Sequence, residues 1–388
     1  MNEPPPTPRL RGLRLPFDPL LMLATAGLLL ASLVTLHAAT GDDVPGDPNH
    51  YVTRQGIYFV VGLAAAVVLS RMDYSRLREL KYGLYAMLMA GILLVAAFGG
   101  VTRGSRRAIQ LPFFEVQTSE LGKVLLVTAL AGFVVDRSRR LAERDTTARL
   151  VLVALLPTAL VIVSDLGSGL VYVAILFAVL FVAGVNWTHF AGLLALGAVS
   201  IVLVLAAAPA MGVTVLQKYQ TDRLTSFLYP SDDPRDAGYQ QNQSRIAIGA
   251  GQKTGRRAQA TQARLNFLPE ERTDFIFAVI GERWGFAGAG LVLSLYALLI
   301  WRGLRILTMA KNLYGALIAG GIVAMLLFQV FINVGMNVGI MPITGIPLPL
   351  LSYGGSSVIT TLLAVGLLQS IYAQGRVAAA TKGRVLSF

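Results

Sequence analysis

The sequence predicts an all-α polytopic membrane protein of about ten spanning helices, and three observations predict it. Of 388 residues, 55% are apolar and 14% charged, with mean hydropathy +0.63, too apolar for a chain that folds around one core in water. The apolar residues fall into runs of bilayer-spanning length. The basic residues, which give a net charge of +12, stand in short clusters between those runs, a topology signal rather than a nucleic-acid surface. The chain has no cysteine, and His37, His50 and His189 are scattered. Thiolate chemistry and a histidine-rich metal cage are thereby excluded; any metal would be a hard cation held by Asp, Glu and substrate phosphate.

Taken in order, residues 1–16 form a flexible basic tail, with Pro4, Pro5, Pro6 and Pro8 among Arg9, Arg11 and Arg14. The run Leu20 to Leu36 lacks a clear cleavage site and reads as a retained first span. Spans are expected at 18–38, 55–70, 82–99, 118–135, 149–164, 167–183, 189–209, 275–301, 313–336 and 355–374, one membrane domain over 17–375. Basic clusters at Arg71–Lys81, Arg137–Arg149 and Arg302–Lys311, and in the tail 376–388, all fall on the side of the N-terminus. That side is then cytoplasmic, so both termini are expected inside.

Between spans 7 and 8 lies an extracytoplasmic cap of about 210–274. Val213, Leu216, Tyr219, Leu224, Phe227 and Leu228 recur at near-helical spacing and predict an interfacial helix. A second helix through Tyr239, Gln243, Ile246 and Ile248 is expected to break at Gly249, Gly251 and Gly255. Two outward segments defy the charge rule: the short loop with Arg103, Arg106 and Arg107, and the cap with Arg223, Arg245 and others. An outward basic patch suits a phosphate or pyrophosphate headgroup, or anionic lipid in general.

The stretch Leu268 to Phe277 joins this polar excursion to an apolar span and sets Asp274 where lipid meets water. Its carboxylate suits interfacial chemistry; equally, Thr273 and Asp274 could simply cap the helix that follows. Glu120 and Lys123, three apart at the start of the fourth span, can pair with one another or with Arg106 and Arg107. Asp165, in a tight turn between spans, could bind a cation or satisfy backbone amides, and the turn is favoured. Glu282 lies two helical turns inside its span and calls for a neutralising partner. The stretch from Asn333 to Asn337 and on through Met341 to Ser357, with three prolines and repeated glycines, cannot be regular helix, and irregular backbone at membrane depth lines a cleft or forms a re-entrant loop.

Five ordered motifs now stand together: Gly104-Ser105-Arg106-Arg107 with Gln117-Thr118-Ser119-Glu120-Leu121-Gly122-Lys123; Asp165-Leu166-Gly167; Gly238-Tyr239-Gln240 with Gln243-Ser244; Leu268-Pro269-Glu270 with Thr273-Asp274; and Pro347-Leu348-Pro349 with Ser352 to Ser356. Over about 55–372 the chain resembles the SEDS family of bacterial shape, elongation, division and sporulation proteins. Its short tails place it nearer the RodA branch than the FtsW branch. It departs from the family at Ala108, where Trp is usual, and at Thr118, where Pro is usual.

The resemblance implies a peptidoglycan glycosyltransferase of the inner membrane that polymerises lipid II at the outer face during cell elongation. A class B penicillin-binding protein is the implied partner, with other elongation-complex proteins. Asp274 matches the family's catalytic acid. Arg106, Arg107, Glu120, Lys123, Arg223, Gln243, Ser244, Arg245, Glu270, Thr273, Ser352 and Ser356 are then expected to bind substrate or its pyrophosphate. Mg2+ or Mn2+ is a possible cofactor, with Asp165 as a candidate ligand; no organic cofactor is expected. A lipid II flippase is the alternative, since many spans, buried charges and a broken-helix cavity also suit alternating access.

Overall fold

The structure, a computed structural model, describes residues 17–40, 46–102, 105–110, 114–207, 210–211, 218–228, 237–260 and 270–385. Helices dominate because the long apolar runs can satisfy their backbone only internally. They are α1 (Pro19–Thr40), α2 (His50–Arg71), the short α3 (Arg76–Glu79), α4 (Lys81–Phe98), α5 (Thr118–Asp136), α6 (Arg144–Ser164), α7 (Leu166–Val182) and α8 (Trp187–Val202). Then follow α9 (Lys218–Leu228), α10 (Ala237–Gly251), α11 (Ile276–Met309), α12 (Leu313–Val338) and α13 (Gly355–Val385). Among the described residues, 9 helices are long and apolar enough to cross a membrane, and α7, at 17 residues, is the shorter apolar helix that brings the bundle close to the expected ten. The chain is thus a polytopic all-α membrane protein.

The core forms around α5, α12 and α13, whose hydrophobic windows are 83%, 72% and 78% buried, whereas α8 shows 0%. At one end the bundle is tied through Asp18. Its carboxylate takes the guanidinium of Arg302 on α11, while its backbone N–H donates to Gln369 on α13 at 2.8 Å. A buried ion pair with its amides satisfied holds three helices in register.

One short sheet accompanies the helices. Between α4 and α5 lie three short antiparallel strands, β1 (Gly100–Thr102), β2 (Ser105–Gln110) and β3 (Glu115–Val116), in the order β1-β2-β3. Gly100 pairs with Ala108, and Gln110 with Glu115. The β-branched Val101, Thr102, Ile109 and Val116 favour strand over helix here.

The cap folds onto the same end as those strands. Its first expected helix is α9; residues 212–217, on which part of that expectation rested, lie outside the described residues. The second helix, α10, runs through Gly249 and ends at Gly251, with Gln252 at φ +48°. Gly251 also serves packing: a Cβ there would stand 1.8 Å from the Gly281 carbonyl oxygen of α11. A second left-handed residue follows at Gly255, φ +83°, a conformation L-residues rarely adopt.

Helix α11 is itself broken at Gly285 (φ 64°, ψ −158°). The amides freed by the break are taken up by the cap, Phe286 N donating to Gln252 O at 2.8 Å and Ala287 N to Lys253 O at 3.1 Å. At the other end, α13 extends well past 374, so the helix enters the expected C-terminal tail.

Candidate active site at the cap end of the bundle

The cavity at the cap end is built from a turn that the sequence makes awkward to place. Glu270 takes φ +63°, and its carbonyl accepts from the amides of Thr273 (3.1 Å), Asp274 (3.1 Å) and Phe275 (3.2 Å). Beside the turn, Phe275 is fully buried in a small apolar cluster with Ala247, Val279, Met336 and Ile343, which pegs it down. Two amides from α12 fix it from below. Asn333 Nδ2 donates to Asp274 O at 3.0 Å and to Ile346 O at 2.8 Å. Asn337 Nδ2 donates to Asp274 O at 3.1 Å. Ser352 Oγ donates to Thr273 O at 2.5 Å and accepts from Leu348 N, while Tyr353 N donates to Arg272 O at 2.8 Å.

Helix α11 starts at Ile276 behind Phe275. In its first turn Ala278 N donates to Phe275 O at 2.9 Å and to Asn337 Oδ1 at 3.1 Å, across the helix pair. Asp274 stands one residue ahead of Phe275. Its side chain lines an open cavity of about 570 Å³ with Glu270, Arg272, Thr273, Gly345, Pro347 and Tyr353. Arg223 of α9 stands at the same edge: Nη1 donates to Thr344 O at 3.0 Å, and a Cβ on Gly345 would lie 3.4 Å from Arg223 Nη1 and 3.6 Å from Asp274 Oδ2.

The far wall comes from α2, β2, β3 and the start of α13, through His50, Tyr51, Arg54, Tyr58, Gln110, Phe114, Glu115 and Ser356. Ser356 Oγ donates to Glu115 O at 2.6 Å and accepts from Gln117 N at 3.0 Å, joining strand to helix. Arg272 stacks over the Tyr51 ring at 4.3 Å. Burial pushes the Tyr353 phenol up to about 12, so its hydroxyl remains a hydrogen-bond donor through the physiological range.

The expected site residues divide plainly. Asp274, Glu270, Thr273, Ser356 and Asp165 line the cavity; Arg223 borders it, and Ser352 supports its floor. Ser244 lies beneath, its hydroxyl donating to Asn337 O at 2.8 Å. Gln243 and Arg245 sit on α10 away from the lining, Arg245 reaching along Gly339 instead. Glu120 and Lys123 are 2% and 1% exposed, bonded to each other at 2.5 Å inside the core and apart from the cavity. The side chains of Arg106 and Arg107 lie outside the described residues, although their strand reaches the cavity at Gln110.

Asp165 behaves as the favoured turn. Oδ1 accepts from Ser168 N at 3.2 Å, which caps α7, and Oδ2 from Gln117 Nε2 at 3.0 Å and Ser119 Oγ at 3.4 Å. Among the described residues, no group of three Asp, Glu or His is arranged to hold a metal ion. With both Asp165 oxygens engaged by protein donors, a protein-only cation cage does not fit here.

Sequence reasoning missed Tyr51, Arg54 and Tyr58, and it put Asn333 and Asn337 in an irregular cleft wall, whereas both lie in regular α12 and reach the site from there. The asparagines had a signal: two amides at i and i+4 within an otherwise apolar span, where an unpaired polar group is costly.

A buried helical bundle with an acid held on an irregular turn, facing a polar cavity at one end, defines a polytopic membrane protein with an interfacial carboxylate site. Residues 15–377 match the family FTSW_RODA_SPOVE, cell cycle proteins, and the chain belongs to that family. It is 36% identical over 359 residues to peptidoglycan glycosyltransferase MrdB of Escherichia coli K12, covering 92% of this chain and 93% of that one. To peptidoglycan glycosyltransferase RodA of Treponema pallidum it is 32% identical over 433 residues, covering 94% and 99%. Among solved structures, a chain of a peptidoglycan synthase complex coordinating polymerization and crosslinking matches with TM-score 0.79 and 31% identity, over 93% of this chain and 99% of that one. The rod shape determining protein RodA of Thermus thermophilus matches with TM-score 0.66 and 28% identity, over 92% and 97%.

Proposed function

We propose that this chain is a peptidoglycan glycosyltransferase, the activity its relatives' names carry, and that it polymerises lipid II at the outer face of the inner membrane with Asp274 as general base. The observation that supports this most is the place of Asp274: Asn333 and Asn337 hold its backbone carbonyl, and its carboxylate is set at the cavity wall beside Arg223. The charge rule that puts the basic loops and both termini in the cytoplasm supports an outward cap and cavity.

The step then balances as follows. The acceptor hydroxyl oxygen attacks the anomeric carbon of the lipid-linked donor, and its proton passes to Asp274. The bond from that carbon to the pyrophosphate breaks, and the leaving group takes the electron pair. Arg223, at the Gly345 edge, stands where developing negative charge needs a cation. One base and no covalent intermediate give inversion at the anomeric carbon. Any Mg2+ or Mn2+ would draw most of its oxygen ligands from the pyrophosphate itself, with Asp274 or Glu270 as the nearest carboxylates. A class B penicillin-binding protein supplies crosslinking, in keeping with the synthase complex to which the chain is similar.

The test is lipid II polymerisation by the purified chain, alone and with its cognate transpeptidase, beside a lipid II crossing assay in liposomes. Glycan strands from the native chain support the reading. Transbilayer movement with no polymer would overturn it in favour of a flippase.

A further inference from the structure

Resting on the glycosyltransferase reading above, we infer that the aromatic and guanidinium wall of the cavity is the subsite for the acceptor's amino-sugar rings and their acidic substituents. Tyr51, Arg54 and Tyr58 stand at i, i+3 and i+7 of α2, on one helical face. That face turns into the cavity. Tyr58 is 8% exposed, whereas Val60 on the other side of the helix is 69% exposed, so these rings are not a lipid-facing interfacial belt.

The rings form a continuous apolar lining. Tyr51 meets Tyr353 edge-on at 5.2 Å, and Tyr58 meets Phe114 at 5.7 Å. Sugar rings present faces of C–H groups with partial positive charge, which pack on the electron-rich face of an aromatic ring. The two guanidiniums stand within the same wall, Arg272 stacked on Tyr51 and Arg54 beside the Tyr353 hydroxyl. A planar, permanently charged fork of this kind takes a carboxylate in bidentate fashion. Amino sugars with carboxylate-bearing substituents offer both features at once.

Arg223 and Asp274 meet at the Gly345 edge of the cavity, while Arg272, Thr273 and Tyr353, tied together by Tyr353 N to Arg272 O, carry the tyrosine wall up to the same acid. With Arg223 as the charge for the leaving pyrophosphate, the wall is left to the acceptor sugar, whose hydroxyl must reach Asp274.

The experiment is calorimetric titration of a soluble, lipid-free tetrasaccharide of β-1,4-linked N-acetyl amino sugars bearing lactyl carboxylates into the full chain in detergent. Asp274→Asn is used as background to prevent turnover. Tyr51→Leu is expected to raise Kd about tenfold and Tyr51→Phe by less than about threefold, since the ring is what counts. Arg54→Gln should lower affinity for this probe about tenfold while leaving binding of chitotetraose, which lacks the carboxylates, unchanged. Arg54→Gln also carries the test if Tyr51→Leu does not fold. Unchanged Kd in both variants, or no saturable binding by the parent, overturns the subsite. Lipid II polymerisation by the native chain is run alongside: polymer without wall-dependent binding refutes the subsite alone, whereas absence of polymer refutes the glycosyltransferase reading on which it rests.

Discussion

Asp165 and Asp274 occupy turns that look alike in sequence, each a short polar residue just ahead of an apolar helix, and the structure uses them differently. Asp165 immediately precedes α7 and spends its oxygens on Ser168 N, Gln117 and Ser119. Asp274 sits two residues ahead of α11, its backbone carbonyl held by Asn333 and Asn337 of another helix and its side chain at the cavity wall beside Arg223. The first acid spends its oxygens on its own turn; the second is set in place through its backbone, with its carboxylate at the cavity. Glu120 marks the structural extreme, enclosed with Lys123 in the core.

The contrast can be broken from that extreme inward. Lys123→Met leaves Glu120 buried without its ion partner, and the largest expected loss of stability follows, about 3–5 kcal/mol. Thermal unfolding in detergent checks it, and pairing the change with Glu120→Gln should restore much of the loss. Next is Gly345→Ala. Residue 345 holds φ +74° between Arg223 and Asp274, so a methyl group both strains the loop and shifts the two charges. Turnover should fall about 10²-fold with little change in expression; an unchanged rate would detach Arg223 from the chemistry.

Smaller effects sharpen the same comparison. Asn337→Ala removes one acceptor from the first turn of α11 and one donor to the Asp274 carbonyl, for about 1–3 kcal/mol of stability. Its rate should fall further than unfolding explains, read as turnover per folded molecule. Asp165→Ala removes the cap of α7 and the acceptor for Gln117 and Ser119, about 1–3 kcal/mol, and hydrogen exchange at the start of α7 should register it with lipid II turnover nearly intact.

Much of this was legible in the sequence because bilayer physics is strict. Apolar runs must be helices, and the proline-rich stretch ahead of α13 had to line something other than lipid. Asp274 stood out as an acid at the interface. The β strands between α4 and α5 did not, since strands of two to six residues carry too little periodicity to read. Gly249 was misread as a break, since a glycine can also stand inside a helix; Gly251, where α10 does end, serves close packing against the Gly281 carbonyl as well. The tyrosines of α2 were hidden by their own spacing: without the fold, one face of a spanning helix could as well meet lipid as a cavity.

The most direct test of the central claim compares Asp274→Asn with Asp165→Asn in one preparation, measuring lipid II binding and initial polymerisation rate together. The account predicts a 10²- to 10⁴-fold loss of rate for Asp274→Asn with lipid II still bound, and near-native turnover for Asp165→Asn. Comparable rates for the two variants would contradict it and return Asp274 to a structural part of its turn.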